Sequence, residues 1–174
     1  MTDMYQNVAG QVDPFKRLAS YVPGFHGYVE RQNRRDADKL VRDTVARRFT
    51  ELWTRTSNLQ KDLISAKKID FVDDMEQAAL QLRTFIDKVT TAARGYSGLF
   101  DAVKINEKEL EQLYTFDLAF FELGDQIAHA LDNVEASLGD DAGLPAAIRN
   151  LTTLGRQAVE TINRRTEAFT GNAR

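Results

Sequence analysis

A chain of 174 residues with no cysteine can bury a core of its own, and it excludes disulfides, thiolate nucleophiles and zinc ribbons. At 43% hydrophobic and 28% charged, with a net charge of −3, it reads as one globular domain rather than a disordered tail. The opening MTDMYQNVAGQ carries an acid where a signal peptide carries bases, and no window holds the ~18 apolar residues of a spanning helix, so a soluble, cytoplasmic protein is expected.

Residues 1–27 read as an accessory segment with a short helix near 14–22. Asp13-Pro14 supplies a cap followed by proline at the first helical position. Phe15, Leu18, Ala19 and Val22 then share one side, Lys16 and Arg17 the other, until Pro23-Gly24 breaks the pattern. With Tyr21, Phe25 and Tyr28 beside them, and Arg31 and Arg35 just beyond, these residues form the candidate interaction surface: Phe15, Lys16, Arg17, Leu18, Tyr21, Val22, Phe25, Tyr28, Arg31 and Arg35. Such a segment can fold back over its own bundle, dock on an acidic protein or on the acid-rich third helix of a second copy, or lie on an anionic membrane. Folding back is the cheapest cover, because an isolated eight-residue helix binds bilayers only marginally.

The first long helix is expected over 28–66, with its stripe through Val41, Val45, Phe49, Leu52, Thr56, Leu59 and Leu63 and one irregular step near Val45. Acids precede bases by four residues at Glu30–Arg34, Asp38–Arg42, Asp43–Arg47 and Glu51–Arg55, as on a solvated helix face. Over Tyr28–Arg48 there are 7 basic residues and 4 acidic ones, too small an excess for a phosphate track. No aromatic platform is interleaved with them, so nucleic acid is not an expected partner.

Three further helices follow over 71–95, 107–138 and 143–169. Their stripes run through Met75, Ala78, Leu82, Phe85 and Val89; through Leu113, Asp117, Phe120, Gly124, Ile127 and Leu131; and through Ile148, Leu151, Gly155, Ala158, Ile162 and Arg165. Short links at Lys67–Asp70 and Gly139–Gly143 make antiparallel neighbours, while the longer link from Gly95 to Asn106 is expected to pack over one end. The expected fold is all-α: an antiparallel up-down four-helix bundle over 28–174, with coiled-coil-like packing, long helices and a short N-terminal amphipathic segment. Folding the last pair about residue 141 sets Asp117 opposite Arg165 on the seam, and a lone charge there would be expensive. These two are expected to pair and fix the register. The same folding brings Gly124 and Gly155 within about one turn, where backbones would approach.

Chemistry is harder to find. A di-metal carboxylate bundle needs Glu-x-x-His on two helices, and the chain has no such motif among its two histidines. Glu122, Asp125 and His129 are close in sequence, but Glu122 and His129 lie opposite the seam. Phosphate-binding loops and nucleophile elbows are absent. No catalytic, cofactor-binding or metal-binding residue is assigned, and no small-molecule substrate is evident. The expected function is that of a non-catalytic scaffold or adaptor working through protein–protein interaction, including self-association. A peripheral membrane-associated bundle is the first alternative, and a metal-carboxylate bundle enzyme the second.

Overall fold

A computed structural model describes residues 13–29, 33–95 and 106–170. The chain is all-α: five helices pack against one another, and the described residues include no strand. Helix α1 spans Pro14–Tyr21, α2 Arg34–Ser65, α3 Val72–Gly95, α4 Glu107–Ala136 and α5 Leu144–Thr170. A single 3₁₀ turn, Ile69–Phe71, leads into α3. The expectation for the link between α3 and α4 falls outside the described residues.

Local chemistry sets the helix starts. The Asp13 side chain accepts the Phe15 N–H at 3.1 Å, and Pro14 occupies the first position of α1. At α4, Asn106 accepts from the N–H groups of Lys108 and Glu109, while the Glu109 carboxylate accepts the Asn106 N–H at 2.7 Å. That reciprocal pair satisfies donors the helix itself leaves open.

The first long helix starts later than its charge pattern suggests, at Arg34 and not at 28. The reason lies at Tyr28, which is drawn into the interior instead of continuing the helix. Its N–H donates to the Tyr114 hydroxyl at 3.1 Å, and its carbonyl accepts from Arg34 Nε at 2.6 Å. Gly27, just before it, has a φ of 94°, which a helix cannot contain. With α2 at 32 residues and α3 at 24, α2 is the longer by eight residues, about 12 Å at the usual rise.

Helix α2 packs on α3 and α4, α5 packs on α3 and α4, and α1 packs on α4. The interior is one continuous apolar cluster fed by every helix. At its centre the Phe49 and Phe85 rings lie 4.1 Å apart and those of Phe85 and Phe120 5.4 Å apart, so α2, α3 and α4 meet through aromatic contacts.

The two seam glycines do not face each other. A Cβ on Gly155 would lie 2.9 Å from Cβ of Gln81, so this glycine allows α5 and α3 to approach closely. A Cβ on Gly124 would meet Phe49 and Arg48 of α2 at 3.5 and 3.6 Å, ordinary contact distances. Placing α4 between α2 and α5 turns that position away from Gly155. No described helix is long and apolar enough to cross a membrane.

Candidate functional site

Helix α1 lies on α4 as an amphipathic helix in a groove. Leu18 and Val22 are 0% exposed. The Tyr21 ring stacks on Phe121 at 5.0 Å and 14°, and Phe15 lies 5.5 Å from Tyr114. Beyond the helix, Phe25 packs edge-on against Tyr28, which in turn stacks on Tyr114. The rim is charged. Arg17 forms an ion pair with Glu122, and the Tyr21 hydroxyl donates to Asp125 Oδ2 at 2.6 Å. That hydrogen bond to a carboxylate, with partial burial, holds the Tyr21 hydroxyl above its ordinary pKa.

Within the single chain the residues of the expected interaction surface divide between interior and exterior. Leu18, Val22, Phe25 and Tyr28 are interior residues: α1 packs on α4, and the turn after it carries Phe25 and Tyr28 onto Tyr114 of the same helix. Phe15 and Tyr21 are half-buried, while Lys16, Arg17 and Arg35 stay exposed, Arg17 in contact with Glu122. Arg31 lies outside the described residues.

Inside the same end of the molecule sits a polar cluster. Arg165 Nε donates to Asp117 Oδ1 and its Nη2 donates to Asp38 Oδ1, both at 2.8 Å. Arg42 Nε reaches the other Asp38 oxygen at 2.7 Å, and the Tyr28 hydroxyl donates to Asp117 Oδ2 at 2.5 Å. Asp117, Arg165 and Tyr28 are all 0% exposed. Two carboxylates and two guanidiniums cancel formally, which is what makes four buried ionic groups tolerable. Burial still pushes the Asp117 carboxyl up and the Tyr28 hydroxyl well above its usual value.

Asp117 and Arg165 were legible from their seam positions; Asp38, Arg42 and Tyr28 were not. Asp38–Arg42 looked like a surface pair four apart, yet both are buried. A signal existed. Asp38, Arg42, Val45, Phe49, Leu52, Thr56, Leu59 and Leu63 run in strict steps of four and three, which removes the irregular step at Val45.

Other α4 acids serve α2. Arg55 bonds Glu135 at 3.1 Å and also pairs with Asp132, and Arg48 approaches Asp125 at 3.8 Å. The acid-rich α4 is thus partly neutralised by arginines of α2. His129 has an 82% exposed side chain, 3.8 Å from Asp132. Among the described residues no group of three or more His, Cys, Asp or Glu is placed to hold a metal. An open groove of about 410 Å³ between α4 and α5 is lined by Glu122, Gln126, Gln157, Glu160 and Arg164 among others. Val29, Ile64, Ile69 and Leu80 are exposed, but they spread over the loop before α2, the end of α2, the turn after it and α3, and scattered apolar residues are normal. No protein-family model, curated protein or solved structure matches the chain.

Proposed function

We propose that α2–α5 form an antiparallel up-down four-helix bundle, and that the chain works without catalysis as a cytoplasmic scaffold or adaptor receiving an amphipathic helix. One observation carries this reading: α1 already occupies an aromatic, acid-rimmed groove on α4, held by stacking, an ion pair and a tyrosine–carboxylate hydrogen bond. Helix-in-groove recognition takes that form, with apolar anchors giving affinity and rim charges giving orientation. The α4 groove is therefore the working surface, and α1 its resident occupant.

The membrane reading draws on the same residues with the opposite requirement. Leu18 and Val22 would have to leave α4 before they could meet lipid. A released helix of eight residues would then bind only marginally.

The test uses a fluorescent peptide with the sequence of residues 13–28, added to the full chain and to Leu18→Asp, which loosens α1. The altered chain should bind the peptide and the parent far less, and adding Asp125→Arg should weaken binding about tenfold, the loss of an interfacial charge contact replaced by repulsion. No binding to a Leu18→Asp chain that keeps its helical circular dichroism would overturn the reading.

A further inference from the structure

We infer that the α4 groove also accepts α1 from a second copy, giving a closed dimer in which the two chains exchange their N-terminal helices. This rests on the helix-in-groove reading and names its partner. The groove matches α1 in three separate ways: burial of Leu18 and Val22, stacking of Tyr21 on Phe121, and two polar contacts, Arg17 with Glu122 and Tyr21 with Asp125. A second copy brings the same helix, so an exchanged dimer keeps every one of these contacts. What changes is the turn between the helix and the rest of the chain, including Phe25, whose ring packs on Phe15, Tyr28 and Tyr114.

Two glycines let that turn open. After Val22 the chain reverses through Gly24 at φ 82° and Gly27 at φ 94°, then anchors at Tyr28. Glycine visits left-handed and extended conformations about equally, so opening these two positions carries little intrinsic penalty. The six residue-to-residue steps from Val22 to Tyr28 reach about 20 Å when extended, enough to carry α1 clear of its own groove. Tyr28 stays at home, because its hydroxyl and N–H are both committed to α4. Helix α1 has its principal packing against a single element, so its release disturbs little else.

Closure decides the product. Each chain offers one helix and one groove, so once one helix has crossed, returning the partner's helix is an intramolecular step favoured over capture of a third chain. The exchange therefore favours the closed dimer over an open array, and the dimer fraction rises with concentration.

The absence of cysteine makes the test clean. Arg17→Cys and Glu122→Cys chains, whose parent side chains are 45% and 36% exposed, are mixed at high concentration, partly unfolded, refolded and treated with a short bis-maleimide. Expected is a covalent dimer with one chain of each kind, matched by a dimer mass in light scattering. Gly24→Ala, which strains only the closed turn, should raise the dimer association constant severalfold. The doubly substituted chain at low concentration should instead crosslink within itself. If that internal crosslink forms but the mixture gives no dimer, or gives a dimer without the 17–122 crosslink, exchange is wrong and the docked helix stands. If the doubly substituted chain does not crosslink at all, the helix-in-groove reading falls as well.

Discussion

Helix α5 meets its neighbours in two contrasting ways. At Gly155 it approaches α3 so closely that one added carbon would collide with Gln81. Three turns on, at Arg165, it plants a fully buried guanidinium between a carboxylate of α4 and one of α2. The first contact is held by shape alone. The second admits one arrangement of donors and acceptors. Apolar packing supplies the bulk of stability, whereas the polar end restricts which helices sit opposite which residues.

The sharpest way to break that contrast is to remove one partner of the polar end. Arg165→Met leaves Asp117 and Asp38 buried without their shared cation, and should cost about 3–5 kcal/mol in urea unfolding. Asp117→Ala should cost a comparable amount, and the double variant less than the sum, since the same network is broken once.

The shape-only contact should yield less. Gly155→Ala forces α5 and α3 apart and should cost about 1–3 kcal/mol as overpacking. Gly124→Ala is its control: the new methyl meets ordinary contact distances, and alanine favours the helix by about 1 kcal/mol, so the melting temperature should hold or rise.

Tyr28→Phe keeps the ring and removes the hydroxyl from Asp117, for about 1–3 kcal/mol. It should also change the pH profile. Burial holds the folded Tyr28 hydroxyl well above its unfolded value, so the unfolded chain loses this proton first. The resulting stability is present below pH ~10 and falls as pH rises beyond it. Tyr28→Phe should flatten that alkaline decline, read from denaturant midpoints across pH 8–11. Smallest of all is the surface clamp: Arg55→Ala, which frees Asp132 and Glu135 on an exposed face, should cost under about 1 kcal/mol and less at high salt.

Periodicity made most of the helices legible, because each buries one stripe against its neighbours. It also carried Asp117 and Arg165, two charges on a seam at equal distance from one turn. The same logic stops at residues whose pairing is ambiguous. A carboxylate and a guanidinium four apart satisfy each other on a surface or inside a core, so Asp38–Arg42 gave no sign of its burial beyond the stepping of its stripe. Tyr28 belongs to a loop, where no period says which way a side chain turns; only the tertiary partners Asp117 and Tyr114 fix it. The docked face of α1 followed from its amphipathic pattern, but the choice of α4 as receiver depended on Phe121, Glu122 and Asp125, whose common outward face could equally have met water.

The seat of α1 in the α4 groove can be read from a carbon-edited nuclear Overhauser spectrum of the dilute full chain. Ring-to-ring contacts between Tyr21 and Phe121 and between Phe15 and Tyr114 are expected. A well-dispersed spectrum of the folded helices that lacks both contacts, with the Leu18 methyls at solvent-exposed shifts, would contradict it.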